Sequence, residues 1–149
     1  MERHPVLPVT GGRSVQGDHL LQLIFILQNA HRSGLQHRDV KPENIYLVGD
    51  SLILNDWGSA CGLEEKESWQ GTPGFCDPPS FEGGGVVRDL RSAVRAAWAM
   101  ARNKFPDHED LSFWDFLEQT DRVSVWVEAW THANNADYTE LALSLSFAA

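Results

Sequence analysis

Four polar residues at short spacing could act together in one reaction. Asp39, Lys41 and Asn44 lie two and three positions apart, and Asp56 follows a short apolar run at 52–54. An aspartate can take a proton from an attacking hydroxyl, and a lysine can neutralise negative charge that builds on a phosphate. The amide oxygen of Asn44 and the carboxylate of Asp56 are ligands of the kind that Mg²⁺ prefers. A base, a counter-charge and a bound cation are what phosphoryl transfer requires.

These residues belong to a set of motifs in a recognisable order. Residues 37–44, HRDVKPEN, resemble the catalytic loop H-R-D-x-K-x-x-N of eukaryotic-type protein kinases. Residues 56–58, DWG, resemble the D-F-G metal-binding motif with Trp in place of Phe. Residues 71–79, GTPGFCDPP, are similar to G-T-P-G-Y-x-A-P-E at the close of the activation segment, and 89–93, DLRSA, resemble the D-x-W-S-x-G start of the large central helix. Four motifs at the family's spacing carry the resemblance.

The resemblance implies a Ser/Thr-type kinase catalytic lobe that uses ATP and Mg²⁺ to phosphorylate a protein hydroxyl. Asp39 is then the catalytic base, and Lys41 is both catalytic and ATP-binding. Asn44 and Asp56 are then the metal ligands and bind the nucleotide through the metal. Lys41 favours Ser or Thr over Tyr as the acceptor.

Supporting roles also follow from the resemblance. His37 is expected to pack in the core, where Trp57 can still lie beside it, and Arg38 is expected to contact the activation segment. Asp89 is expected to accept hydrogen bonds from the backbone of the catalytic loop. The start of the central helix would in this way hold the loop in place.

The activation segment, at 58–70, leaves alternatives open. Thr72 is expected to hydrogen-bond near Asp39 and Lys41, whereas a phosphate on Ser68 or Thr72 that docks on Arg38 is a second interpretation. Two cysteines in this part of the chain could form a redox pair or be idle thiols; they are Cys61 and Cys76.

Composition limits the class of protein. The chain has 149 residues, of which 42% are hydrophobic, so we expect one folded domain over 1–149. A net charge of −9 argues against nucleic acid and anionic membranes as partners. The longest apolar run, at 20–27, is interrupted by Gln22 and too short for a bilayer, and 1–9 lacks the apolar region of a signal peptide. We therefore expect an intracellular setting, cytoplasmic or nuclear.

The elements that position the motifs can be predicted in outline. A helix is expected over 19–33, with Asp18 as its N-cap and Gly34 after its end, and a short strand over 35–37. A hairpin over 45–54 that turns at Gly49 and Asp50 should hold Asn44 at one end and Asp56 at the other. Further helical segments are expected; they begin at Val86 and cover 111–117, 123–130 and 138–147, with Trp114, Trp126 and Trp130 as packing residues. The expected fold class is mainly α, a kinase-like C-terminal lobe with a small β-hairpin that carries the catalytic and metal-binding loops.

The N-terminal end departs from a complete kinase. No lysine precedes Lys41, and Gly11-Gly12 lacks the G-x-G-x-x-G spacing, so the N-lobe, with its Gly-rich loop and ATP-binding lysine, is expected to be absent. Residues 1–15 are interpreted either as a hinge remnant or as a frayed terminus, and 16–149 as the helical lobe. Whether the chain alone is an enzyme is therefore left open.

The other departure lies at the close of the activation segment. Pro79 stands where the family has a glutamate that pairs with an arginine, so that ion pair is expected to be lost, and Asp77 is not an obvious substitute. These sequence changes are similar to those of a divergent branch such as the kinase domains of crinkler-type effectors.

A non-catalytic function is the alternative. A truncated kinase homologue could act as a protein-binding or regulatory module, with a partner kinase chain or another protein on the face that normally contacts the N-lobe. That face is expected around the first helix and the hairpin.

Overall fold

The computed structural model describes residues 7–8, 16–65, 72, 75–77, 81–102 and 125–148. In these ranges the α-helices are α1 (Gly17–Arg32), α2 (Gly85–Arg102), α3 (Val125–Asn134) and α4 (Tyr138–Ala148). The strands are β1 (Leu7–Pro8), β2 (Leu35–Gln36), β3 (Ile45–Val48), β4 (Ser51–Leu54) and β5 (Cys61–Gly62), and 3₁₀ turns cover Pro42–Asn44 and Trp57–Ser59. The predicted class, mainly helical with a small antiparallel sheet, is confirmed.

Helix α1 begins two residues earlier than predicted, and its N-cap is Gln16, so the assignment of Asp18 as N-cap was wrong. The backbone N–H of Gln16 donates to Nδ1 of His19 at 2.9 Å, so the imidazole caps the N-terminus of the helix. Asp18 instead lies within that first turn, where its negative charge interacts favourably with the positive end of the helix dipole. The predicted end is confirmed, since Gly34 has a φ of +83° after the helix.

The core forms where α1 packs against α2, α4 and β4. The buried face of α1 repeats at three- and four-residue spacing, and the Ala-rich middle of α2 is buried over its whole circumference. The central residues are Leu20, Leu23, Ile24, Leu27, Leu90, Ala93, Val94, Ala96, Ala97, Leu141 and Leu145. Small alanine side chains allow the helices to approach closely.

The hairpin of β3 and β4 has the predicted turn, with Ile45 opposite Leu54 and Val48 opposite Ser51. Gly49 occupies the turn with a φ of +60°, a conformation that favours glycine. Alternation along both strands buries every second side chain. Strand β1 pairs with β3 on the side away from β4, which makes a three-stranded sheet. Of the predicted hinge at 1–15, only β1 lies within the described residues.

The side chain of Gln22 fixes the hairpin to α1. Its Oε1 accepts the N–H of Leu52 at 2.9 Å, and its Nε2 donates to the carbonyl of Asp50 at 3.1 Å. The side-chain amide of Gln22 thus pairs with one backbone N–H and one backbone carbonyl along the edge of β4, and these two groups would otherwise face water. In the sequence Gln22 reads only as an interruption of an apolar run, yet it determines where β4 lies.

Helices α3 and α4 agree with the predicted segments, although α3 continues to Asn134. Trp126 and Trp130 are buried, as predicted, whereas the predicted helix at 111–117 and Trp114 lie outside the described residues. A Cβ on Gly17 would lie 2.3 Å from the carbonyl oxygen of Ser146, so glycine is required where α1 meets α4. Within the described helices, none combines the length and the apolar character needed to cross a bilayer.

Candidate active site

The catalytic loop is held by Asp89 from the first turns of α2. Its Oδ2 accepts the backbone N–H of His37 at 2.7 Å, and its Oδ1 accepts that of Arg38 at 2.9 Å. The carboxylate is only 1% exposed, so these hydrogen bonds are shielded from water. The expected link between the start of the central helix and the loop is present.

His37 connects the catalytic loop to the segment before Asp56. Its Nδ1 accepts the N–H of Asp39 at 3.0 Å, and its Nε2 lies 2.8 Å from the carbonyl of Asn55, to which it donates. These two bonds assign a neutral ring with the proton on Nε2. The edge of Trp57 packs against the fully buried imidazole at 4.5 Å between ring centres, so Trp in place of Phe keeps the expected contact.

The carboxylate of Asp39 lies in a small polar cluster. The hydroxyl of Thr72 donates to Asp39 Oδ1 at 2.9 Å and accepts from Lys41 Nζ at 2.7 Å, while Nζ lies 3.7 Å from Asp39 Oδ2. Thr72 therefore has the contacts expected from the sequence. A phosphate on Thr72 would remove the proton that Asp39 Oδ1 accepts and would place negative charge beside that carboxylate, so the geometry favours the unmodified hydroxyl.

Asn44 and Asp56 lie on adjacent backbone segments, joined by the N–H of Asn55, which donates to the carbonyl of Asn44 at 2.8 Å. The amide nitrogen of Asn44 donates to the carbonyl of Asp39 at 2.8 Å, so its Oδ1 is the atom left for a cation. Asp56 is exposed, and its carboxylate has no hydrogen bond or ion pair among the described residues.

This donor set fits Mg²⁺, which is commonly held by one or two protein oxygens together with substrate phosphates. No group of three or more His, Cys, Asp or Glu side chains in the described ranges forms a metal cage by itself. Asn44 and Asp56 would therefore bind the ion jointly with a nucleotide rather than alone.

Two residues of the site have strained backbone. Arg38 has a φ of 76° and Asp56 a φ of 60°, in the left-handed region that costs about 1–3 kcal/mol for most residues. Arg38 is held there by Asp89 and by its own Nε, which donates to the carbonyl of Ser59 at 2.6 Å. The expected contact of Arg38 with the activation segment is present.

The start of the activation segment is fixed by β5, which pairs with β2. The buried side chain of Gln36 donates to the carbonyl of Gly62 at 2.8 Å. A Cβ on Gly85 would lie 2.6 Å from the Gln36 side chain, so glycine is needed where α2 begins. Sequence reasoning missed β5 and Gln36, because a two-residue strand and a single amide carry no periodic signal.

Comparison with known proteins agrees with this geometry. No protein-family model matches the chain. A probable serine/threonine-protein kinase of Dictyostelium discoideum is 40% identical over 65 residues, which are 44% of this chain and 12% of that protein. The MAPK/MAK/MRK overlapping kinase of Homo sapiens is 43% identical over 51 residues, 34% of this chain and 12% of that protein. The chain thus spans about an eighth of the length of these relatives.

A solved structure decides the fold. The ROP18 kinase domain in complex with AMP-PNP and sucrose superposes with a TM-score of 0.58, over 85% of this chain and 38% of that one, at 24% identity. The fold is that of a protein kinase C-terminal lobe. The proteins that match part of this chain in sequence are Ser/Thr protein kinases.

The described residues contain an acid–arginine cluster that was not predicted from the sequence. Asp77 is fully buried and accepts from Nη2 of Arg95 at 2.7 Å and from Nε of Arg91 at 3.0 Å. Both guanidinium groups also stack on the ring of Trp130. The interpretation that Asp77 is not an obvious substitute for the family's glutamate was wrong, because α2 presents two arginines one turn apart to this aspartate. Pro79 itself lies outside the described residues.

The two cysteines of the chain, Cys61 and Cys76, are free thiols. Burial raises the pKa of the Cys76 thiol from 9.0 to about 11, and burial also raises the pKa of Cys61. Both groups therefore stay protonated near neutral pH, which disfavours thiolate chemistry. The interpretation as idle thiols is the one that this geometry favours.

Proposed function

We propose that the chain is the catalytic lobe of a Ser/Thr-type protein kinase, which transfers the γ-phosphoryl group of ATP to a protein hydroxyl. The observation that carries the proposal is the Asp39 cluster, in which a carboxylate, a lysine and a threonine hydroxyl lie within hydrogen-bond reach at the surface of the lobe. Both charged side chains are partly exposed, so a substrate can reach them.

Asp39 acts as the base in this proposal. A serine or threonine hydroxyl of the substrate attacks the γ-phosphorus, its proton passes to the Asp39 carboxylate, and the bond to the ADP oxygen breaks. Lys41 lies beside Asp39 and balances the negative charge on the transferred group. Thr72 donates to the Asp39 carboxylate, and His37 accepts the backbone N–H of the same residue, so side chain and backbone of Asp39 are both held.

Asn44 Oδ1 and the Asp56 carboxylate would hold Mg²⁺ together with the ATP phosphates. When bound, the ion neutralises phosphate charge. The Asn44 amide nitrogen donates to the backbone carbonyl of Asp39, which leaves Asn44 Oδ1 available to a cation.

A binding module is the second candidate function, and the outer face of the hairpin favours it. Val48 is 39% exposed and Ile53 38%, and Ile53 lies opposite the half-buried Tyr46 across the strands. In this proposal a partner kinase chain or another protein covers the hairpin face. The two functions are compatible if that partner completes the ATP site.

A titration with ATP, with and without Mg²⁺, tests the catalytic proposal. We expect binding that depends on Mg²⁺ and that Asp56→Asn weakens at least about tenfold, since a carboxylate ligand is lost. Asp50→Asn is the matched control, because Asp50 is an exposed aspartate at the opposite end of β4 and should bind as the wild type does.

Two results would contradict the catalytic proposal. Absence of binding at about millimolar ATP would leave the binding module as the function. Equal weakening by both aspartate variants would show a general effect of the substitutions, and not the loss of a metal site at Asp56. A concentration-dependent mass measurement on the same samples would then show whether the chain associates with itself.

A further inference from the structure

A series of buried and partly buried hydrogen bonds leads from α4 to the catalytic loop. Tyr138 Oη lies 2.7 Å from Nδ1 of His31, whose Nε2 lies 2.8 Å from Oδ2 of Asp89. The same Oδ2 accepts the N–H of His37, and Oδ1 accepts that of Arg38. His31 is 6% exposed and Asp89 1%, so water does not replace these contacts.

We propose that Tyr138 is a positioning residue of the candidate active site: its hydroxyl fixes the ring of His31, which holds Asp89 against the backbone of the catalytic loop. This inference rests on the proposed function, because positioning matters only if Asp39 acts on a substrate. It adds a residue 99 positions beyond Asp39 that touches no reacting group.

The position of the proton in each of these hydrogen bonds follows from which of the two atoms can only accept. An ionised carboxylate only accepts hydrogen bonds, so Nε2 of His31 must carry a proton that points to Asp89. Tyr138 keeps its own proton, because burial and the nearby Asp89 carboxylate raise its pKa above 10.0. The phenol donates that proton to Nδ1, and this donation fixes the ring in the Nε2–H tautomer.

Loss of the phenol hydroxyl would release the ring. Phenylalanine at 138 leaves Nδ1 of the buried ring without its partner, so the ring is no longer held in one orientation. The hydrogen bond from Nε2 to the Asp89 carboxylate would then be weaker. Asp89 would hold the amides of His37 and Arg38 less firmly, and the strained φ of Arg38 would favour relaxation of the loop.

Hydrogen exchange of two backbone amides tests the proposal without an activity assay. In Tyr138→Phe the amides of His37 and Arg38 should exchange about tenfold faster than in the wild type, the effect of about one hydrogen bond. The amide of Leu52, held by Gln22, should not change. Ser146→Ala is the control on the same helix, because its hydroxyl bonds only the nearby carbonyl of Leu143. Unchanged exchange at His37 and Arg38 in a folded variant would overturn the proposal.

A second variant isolates the route through His31. In His31→Gln the amide nitrogen can donate to Asp89, and the imidazole ring that Tyr138 orients is absent. Adding Tyr138→Phe to this variant should therefore change exchange by less than about twofold. A second tenfold increase would show that Tyr138 acts by another path, which contradicts the proposal.

The wild-type protein supplies a test that no variant can obscure. Imidazole ¹H–¹⁵N spectra should show His31 protonated at Nε2 and not at Nδ1; a proton at Nδ1 would mean that Tyr138 accepts, and would overturn the assigned role. The phosphotransfer rate of Tyr138→Phe should fall about tenfold, with KM for ATP within about twofold. If the wild type transfers no phosphate, the proposed function fails, while the exchange data still decide whether Tyr138 holds the loop.

Discussion

Asp39→Asn is expected to lower the rate of phosphoryl transfer by about a hundredfold to ten-thousandfold, the range for loss of a general base. An amide cannot take the proton of the attacking hydroxyl. Its oxygen can still accept the hydrogen bond from Thr72, so the loop should keep its fold. Transfer from labelled ATP to a Ser/Thr-containing protein substrate measures the rate, and the ATP titration should give an unchanged affinity.

Glu43→Gln is the control for this variant. Glu43 is an exposed carboxylate of the same loop, four residues after Asp39, and its replacement removes one negative charge without removing the base. Its rate should equal that of the wild type. Equal rates for Asp39→Asn and the wild type would show that Asp39 is not the base.

Asp77→Ala should lower the free energy of unfolding by about 3–5 kcal/mol, since it leaves the buried charge of Arg95 without its acid. Domains of this size are stable by about 5–15 kcal/mol, so the variant should be partly unfolded or unfold at much lower urea concentration. Urea unfolding followed by tryptophan fluorescence reports directly on this region, because Trp130 stacks on both arginines.

Glu82→Ala gives the reference for an exposed acidic residue near the same segment. Its change in the free energy of unfolding should be within about 0.5 kcal/mol. A loss of less than about 1 kcal/mol in Asp77→Ala would contradict a buried, structural role for the acid–arginine cluster.

The parts of the fold that were predictable have local causes. The apolar spacing of α1 and the turn at Gly49 depend on neighbouring residues, so both elements were predicted nearly in place. His19 as a capping partner was missed because histidine rarely takes that role, and Asp18, a common N-cap type, competes for it in the sequence.

Contacts between distant residues could not be predicted. Asp77 meets arginines 14 and 18 positions away only because α2 is helical there, and Tyr138 meets His31 across 107 positions. Gln22 likewise contacts β4 only once the hairpin has packed on α1. These are single polar pairs with no periodicity in the sequence.

The residues that form the candidate site could be predicted from the sequence, but the arrangement of their side chains could not. The spacing of Asp39, Lys41 and Asn44 indicated the residue types, and the structure brings them together with Thr72. That Asn44 uses its nitrogen on Asp39, and so keeps its oxygen free for a cation, depends on the rotamer of its side chain.

A crystal structure of the chain with AMP-PNP and Mn²⁺, in place of Mg²⁺, would test the central claim most directly. Mn²⁺ prefers the same oxygen ligands and gives an anomalous signal that locates it. The proposal predicts one peak within about 2.2 Å of both Asn44 Oδ1 and the Asp56 carboxylate, with the γ-phosphate facing Asp39. A nucleotide bound elsewhere, or a metal that contacts neither residue, would contradict it.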